Sequence, residues 1–344
     1  MSESVDEHKG EAVGPAVGER SSAVEPSAAA VQDSFPKAAL AASSDGDGRF
    51  AARINCVRHR YEDGSKVELC GLEFAVERGQ RVAVLGPNGS GKTTLFFHLV
   101  GILRPSEGAV SVLGVDPAHD FAKVRQRIGV VLQNVDEQLL APTVWDDVSF
   151  SPRQYGLPRG EVKRLTEQAL ERIGIGHLRD KVPHYLSGGE KRKVAIAGAL
   201  VMEPELLILD EPFEGLDPHA RQQVLDLLNR LVAERGMTLI TSTHDVNLVP
   251  EMADDVYVLA QGGHIVLHGT PAEVFAHAEV LQASNIEPPV LARLFEDLTR
   301  RTGVHLPMPA SLEEAADRLA QIIGTERPGA QRAGQDQWGS PPLR

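Results

Sequence analysis

Arg81-Val82-Ala83-Val84-Leu85-Gly86-Pro87-Asn88-Gly89-Ser90-Gly91-Lys92-Thr93-Thr94 decides the fold of this chain. A short apolar run leads into a loop that fits G-x-x-x-x-G-K-[ST] at every fixed position, and an apolar helical stretch follows. The glycines let the backbone curl so that successive N–H groups point at phosphate oxygens. The helix behind the loop adds its positive N-terminal end. Lys92 supplies a point charge for the β- and γ-phosphates, and the Thr93 hydroxyl is suited to ligate Mg²⁺. Gly86, Pro87, Asn88, Gly89, Ser90, Gly91, Lys92, Thr93 and Thr94 are therefore the expected binding loop for a nucleoside triphosphate with Mg²⁺. The plain alternative is an ordinary Gly-rich turn, and the strand before it and helix after it argue against that.

The chain has 344 residues, 42% of them hydrophobic, which allows about two domains with a real core. Its formal charge of −13 argues against a nucleic-acid binder held by a general basic field. Cys56 and Cys70 form no disulfide framework or metal cluster on paper; they read as small apolar residues in or near strands, suiting a reducing cytosol. No apolar run approaches the length of a membrane span, and the N-terminus has no signal-peptide pattern. A membrane role has to come through a partner.

Residues 1 to about 50 carry nine acidic and four basic residues among Ala, Ser and Gly, and read as a disordered acidic tail. Residues 326–344, rich in Pro, Gly and Gln, read as a second disordered tail. Between them strand-like and helical runs alternate, which implies a mostly parallel sheet with covering helices. Strands are expected within Ile54–Val76 (around the Asp63-Gly64 turn), and at Ala109–Val115, Ile128–Gln133, Leu206–Leu209 and Thr238–Ser242. A hairpin is expected from Asp254 to His268 around Gln261-Gly262-Gly263. Val162, Leu165, Ala169 and Ile173 have the spacing of an amphipathic helix over Glu161–Ile173. Further helices are expected at Glu190–Met202, Pro289–Arg300 and Ser311–Ile323.

Leu206-Leu207-Ile208-Leu209 ends in Asp210-Glu211. A strand buried on both faces needs such a run, and its acids then sit at the carboxyl edge of the sheet, where open α/β folds place ligands. Asp210 is suited to hold Mg²⁺, and Glu211 to orient and polarise an attacking water. Ser187-Gly188-Gly189-Glu190 matches a helix capping box, but a cap does not require two glycines; they expose backbone N–H groups to an anion.

At this point the sequence resembles one family, the ATP-binding subunits of ABC transporters, over about residues 53 to 300. Leu186-Ser187-Gly188-Gly189 before the Asp-Glu strand is that family's motif, with Glu190 where glutamine is more frequent. The resemblance implies an α/β P-loop NTPase of ABC ATPase type, with an antiparallel β subdomain, a helical subdomain at about 134–186 and a small C-terminal extension. The ATPase domain is then 51–270 and the extension 271–325. It implies that Tyr61 stacks on adenine, that Gln133 contacts Mg²⁺ and the attacking water, and that His244 touches the γ-phosphate. It also implies that Ser187, Gly188, Gly189 and Asp217 serve ATP held by the opposite subunit of a dimer. Hydrolysis then needs two chains, either a homodimer or a pair with a close paralogue.

Gln133-Asn134-Val135-Asp136-Glu137-Gln138-Leu139, followed by Trp145-Asp146-Asp147-Val148, is similar to the ATPases of energy-coupling factor importers, with Val135 where proline is frequent. Ser242 to Pro250, Pro288-Pro289 and Glu190-Lys191-Arg192-Lys193 are similar to the cobalt-importing members. The implied function is the ATP-hydrolysing subunit of a membrane importer for cobalt or another transition metal ion, held at the cytoplasmic face by integral membrane coupling and substrate-binding subunits. The resemblance also implies that metal specificity lies in those membrane subunits; apart from His244, the histidines here show no metal-ligand grouping. The same motor for a vitamin importer is an alternative; so is a soluble ABC ATPase of repair or translation, which usually has two nucleotide modules or a long coiled-coil insertion. The importer-like loop argues against an exporter motor.

Overall fold

The computed structural model describes residues 48–304, 306, 308–309 and 312–323; residues 1–47 of the tail predicted over 1 to about 50, and all of the tail predicted over 326–344, lie outside the described residues, while Phe50 already belongs to a strand. The strands are β1 (Phe50–Arg60), β2 (Lys66–Leu69), β3 (Phe74–Glu77), β4 (Arg81–Leu85), β5 (Glu107–Val112), β6 (Ile128–Val131), β7 (Leu206–Asp210), β8 (Thr238–Ser242), β9 (Asp255–Leu259) and β10 (Ile265–Gly269). The helices are α1 (Lys92–Leu99), α2 (Pro117–Asp120), α3 (Val144–Val148), α4 (Phe150–Gln154), α5 (Arg159–Ile173), α6 (Gly188–Leu200), α7 (Pro218–Arg235), α8 (Val249–Met252), α9 (Pro271–Phe275), α10 (Ala278–Ala283), α11 (Val290–Thr302) and α12 (Leu312–Ile323).

Two sheets share the core. In the six-stranded sheet, ordered β10-β9-β4-β8-β7-β6, only the β9–β10 pair is antiparallel. Every residue of β7 and β8 is buried, which in β7 accounts for the unbroken apolar run Leu206–Leu209. In the second sheet β1 pairs antiparallel with β2, β3 and β5. Leu95, Phe96 and Leu99 of α1 join one hydrophobic cluster with residues of both sheets. Tyr257 of β9 pins the sheets together: its ring lies 4.7 Å from that of Phe74, and its hydroxyl donates to the Ala75 carbonyl at 2.9 Å. Burial raises the Tyr257 phenol well above its ordinary range, so it stays a donor.

The predicted elements are present, with shifted ends. β1 begins at Phe50 rather than Ile54, because its first residues pair with both β3 and β5. β6 stops at Val131, two residues before Gln133. In α5 the four periodic residues are buried as expected, joined by Thr166 and Leu170, and Gly174 ends the helix at φ 76°. α5 packs on α6. No helix among the described residues is long and apolar enough to cross a membrane.

The cysteines correct the sequence reading. β1 and β2 pair with Val57 opposite Leu69, so the next pair along the hairpin is Cys56 and Cys70. Their Cα atoms lie 4.1 Å apart and the two are joined as a disulfide across 14 residues. Composition gave no sign of this, since only the register of the hairpin makes them neighbours. A loop of that length is worth about 3 kcal/mol by chain entropy. The native protein should therefore show no titratable thiol until a dithiol reductant is added, then two. Two free thiols in the untreated, air-oxidised protein would contradict the pairing.

Candidate nucleotide site

The register of the parallel strands assembles the site. Val84 of β4 pairs with Ser242 of β8, and Ser242 pairs with Asp210 of β7. Three strand ends thus deliver the phosphate loop, the Thr243-His244 turn and the Asp210-Glu211 pair to one edge of the sheet.

The phosphate loop folds as its composition requires. Gly91 sits at φ 95°, and a Cβ on Gly86 would lie 2.3 Å from Ser90 Oγ and 2.8 Å from the Leu259 carbonyl oxygen. The Ser90 hydroxyl is buried without a partner among the described residues. Lys92 is buried, and its Nζ donates to the carbonyls of Gly86 at 2.7 Å and Pro87 at 3.2 Å. Burial lowers its ammonium from the ordinary lysine range, opposed by the charges of Glu211 and Asp210. Pro87 is half-buried, while Asn88 and Gly89 are exposed. The amides of Lys92, Thr93 and Thr94 open α1, where helix geometry offers them no intrahelical acceptor. This cradle of N–H groups, with an ammonium folded into it, fits a polyphosphate.

Thr93 Oγ1 donates to Asp210 Oδ2 at 3.0 Å. A hydroxyl and a carboxylate converging on one point are hard oxygen donors that fit Mg²⁺. Asp210 Oδ1 accepts from Ser242 Oγ at 2.5 Å, and the same Ser242 Oγ accepts from the Glu211 N–H at 3.0 Å. Glu211 stands at φ 50°, a left-handed conformation that costs a non-glycine residue about 1–3 kcal/mol and here turns its side chain off the strand. Its Oε2 accepts from the His244 N–H at 3.2 Å and lies 2.8 Å from His244 Nδ1. The His244 side chain is 70% exposed, so the glutamate is buried while its partner reaches solvent.

Gln133 is exposed, in the bend after β6. Arg192, buried in α6, donates to the carbonyls of Leu132 and Gln133, both at 3.0 Å. Gln138 accepts from the Leu132 N–H at 3.1 Å and donates to the Val130 carbonyl at 2.9 Å. Lys191 reaches Asp136 at 2.6 Å. The Gln133 bend is thereby tied to the helix that Ser187 opens. A cavity of about 570 Å³ lies between them, with Thr93, Gln133, Asp210 and Gly188 among its walls.

Ser187 and Gly188 are exposed. The capping box is complete: Ser187 Oγ accepts from the Glu190 N–H at 3.3 Å, and the Glu190 carboxylate accepts from the Ser187 N–H at 2.9 Å. These bonds hold the Glu190 carboxyl below its ordinary range. A Cβ on Gly189 would lie 3.5 Å from the Gly215 carbonyl oxygen, so this helix tip abuts the Gly215-Leu216-Asp217 loop. Asp217 is exposed and caps α7, accepting from the Ala220 N–H at 2.9 Å. Tyr61 lies in the turn between β1 and β2, with its hydroxyl 2.7 Å from Thr94 Oγ1.

Sequence reasoning missed Ser242, Arg192 and Gln138 as parts of this site. Arg192 and Gln138 fell inside quoted motifs without a role. The signal for Ser242 was a hydroxyl closing an otherwise buried strand. Replacing Ser242 with Ala orphans one carboxylate oxygen and one N–H, both buried, and should lower the unfolding free energy by about 2 kcal/mol, read by chemical denaturation. Wild-type stability in Ser242→Ala would show that this bridge carries no weight.

The model of the ABC transporter family matches residues 69–214. The chain is 46% identical over 267 residues to the energy-coupling factor transporter ATP-binding protein EcfA of Methanocaldococcus jannaschii, covering 77% of this chain and 95% of that one. It is also 46% identical over 247 residues to the EcfA of Methanoculleus marisnigri, covering 71% and 88%. Among solved structures it is similar to cbiO1 of Clostridium perfringens, described as part of the ABC transporter complex cbiONQ, with a TM-score of 0.61, 41% identity and coverage of 72% of this chain and 99% of that one. It is also similar to a dimeric ATP-binding cassette in a post-hydrolysis state bound to ADP and Pi, with a TM-score of 0.58, 25% identity and coverage of 64% and 98%.

Proposed function

From the premise that this chain belongs to the ABC transporter ATP-binding subunits of the energy-coupling factor group, and is an ATPase, we propose that it hydrolyses MgATP between two ATPase subunits to drive a membrane importer of cobalt or another transition metal ion. The observation that carries this reading is the convergence of Lys92, Thr93, Asp210, Glu211 and His244 on one sheet edge, beside an outward-facing Ser187-Gly188-Gly189 helix tip.

Lys92 exchanges its two carbonyl partners for phosphate oxygens, which the ammonium prefers because the hydrogen bonds become charge-assisted on both sides. The amides of Lys92 to Thr94 accept no competition from their own helix and bind the phosphate chain. Thr93 and Asp210 hold the Mg²⁺, with Gln133 at the edge of the same cavity. Held there, Mg²⁺ would supply positive charge to offset that of the phosphate oxygens. Glu211 polarises the attacking water and His244 positions the γ-phosphate; their mutual hydrogen bond keeps both on the same face. Ser242 keeps Asp210 and Glu211 in register.

The exposed Ser187 and Gly188 and the half-buried Gly189 cap the γ-phosphate bound by the second subunit, with Asp217 next to them through the Gly215 loop. Loss of that phosphate removes the shared ligand and lets the subunits part. The membrane partners hold the chain at the cytoplasmic face. The Gln133–Leu139 segment, bound to α6 by Arg192 and Lys191, carries the nucleotide state towards them, and Leu140 at its end is 82% exposed.

Glu211→Gln should keep ATP binding, lower hydrolysis at least about 100-fold and accumulate an ATP-bound dimer on size exclusion. Hydrolysis near the wild-type rate would remove Glu211 from its role. Uptake of cobalt ions against uptake of a vitamin, in cells with and without this chain, tests the cargo; cobalt uptake unaffected by its loss would move the proposal to the vitamin branch.

A further inference from the structure

Strand β1 changes partners at Cys56. Up to Asn55 it pairs with β3 and β5; from Val57 to Arg60 it pairs with β2, and its register with β5 shifts between Asn55 and Arg58. Cys56 stands at this junction with φ 40°, in the left-handed region that non-glycine residues rarely enter. Gly108 of β5 makes room for it, since a Cβ there would lie 2.3 Å from the Cys56 carbonyl oxygen. The other end of the hairpin arm is bent as well: Gly71, next after Cys70, sits at φ 101°. The disulfide therefore staples the base of an arm made of residues 56–70.

That arm touches the phosphate loop. A Cβ on Gly91 would lie 2.8 Å from Val67 Cγ1, so β2 packs directly on the glycine before Lys92. The Glu68 N–H donates to the Gly262 carbonyl at 2.8 Å, and the Tyr61 hydroxyl lies 2.7 Å from Thr94 Oγ1. Cys56 is exposed while Cys70 is buried, so a thiol arriving from solvent meets the Cys56 sulfur. In reducing compartments the disulfides that do occur are usually transient or redox-sensing.

We propose that the Cys56–Cys70 disulfide is a redox switch on nucleotide binding, worked by a dithiol. One thiolate of the dithiol attacks Cys56 Sγ; the disulfide bond breaks, and Cys70 leaves as a thiolate that takes a proton from water. The second thiol then attacks the mixed disulfide and releases Cys56, so the dithiol gives up two electrons and ends as a disulfide itself. The reduced arm is free to open at its two bent ends, which takes Val67 off Gly91 and leaves the phosphate loop without that wall. The oxidised chain binds nucleotide more tightly, because reduction adds open forms that lower the competent fraction. The switch rests on reading residues 86–94 as the ATP-binding loop.

Calorimetry with MgADP on the full chain, before and after dithiothreitol, reads the switch; this nucleotide meets the same loop and is not turned over. Reduction should weaken binding at least about fivefold, the lower end of ordinary coupling between two sites. Cys56→Ser should bind as weakly as the reduced wild type and be indifferent to dithiothreitol. Coupling is reciprocal, so saturating MgADP should raise the ratio of reduced to oxidised dithiothreitol at half-reduction by the same factor. Equal affinity in the two redox states, or half-reduction indifferent to MgADP, overturns the switch and leaves the nucleotide site standing. No MgADP binding in either state overturns the nucleotide site, and the switch with it.

Discussion

The register of three parallel strands is the constraint on which the rest depends. β4, β8 and β7 are locked by their own backbone hydrogen bonds, with Val84, Ser242 and Asp210 side by side. β7 and β8 are buried throughout, and a one-residue slip of β7 would exchange its two faces and carry Asp210 away from Thr93 and Ser242. The hydrophobic core therefore acts on the chemistry directly. It sets a cation, a hydroxyl and two carboxylates at one sheet edge, with Thr93 and Ser242 bonded to Asp210 and His244 to Glu211.

The electrostatics follow from that placement. Lys92 and Arg192 are both buried cations whose charged forms are weakened by desolvation, and each is supported by the nearby charges of Asp210 and Glu211. Arg192 faces Glu214 as well, and spends its donors on the carbonyls of Leu132 and Gln133. The acids at the end of β7 thus hold two arms, the phosphate loop on one side and the Gln133 bend on the other. Under the proposed function, a change of charge at the γ-phosphate acts on both, and α6 with the bend is the proposed route from nucleotide state to the surface around Leu140.

Much of this was legible in the sequence because it is local. The phosphate loop, the Asp210-Glu211 strand and the Ser187 cap each lie within about ten residues, and each has a composition that only one local geometry explains. Strand and helix types were readable for the same reason, through apolar runs and the period of α5. What sequence did not yield is set by pairing between distant segments. Cys56 and Cys70 become partners only through the β1–β2 register, and Ser242 becomes the bridge of the site only through its place beside Asp210. Tyr61 was read by resemblance as a base platform, whereas its contact with Thr94, 33 residues away, comes from how the first hairpin lies on α1. The Glu211 backbone at φ 50° had no sequence signal.

The central claim is that one chain's phosphate loop and another chain's Ser187 tip close on the same ATP. Asn88 and Ser187 are both exposed in the single chain and would face each other across that closure. The direct measurement mixes an Asn88→Cys chain with a Ser187→Cys chain, both in a slowly hydrolysing background, and follows oxidative cross-linking between them with and without MgATP. The account predicts a covalent dimer that forms with MgATP and not without it. A mixture that never cross-links, or does so equally well with no nucleotide, would contradict it.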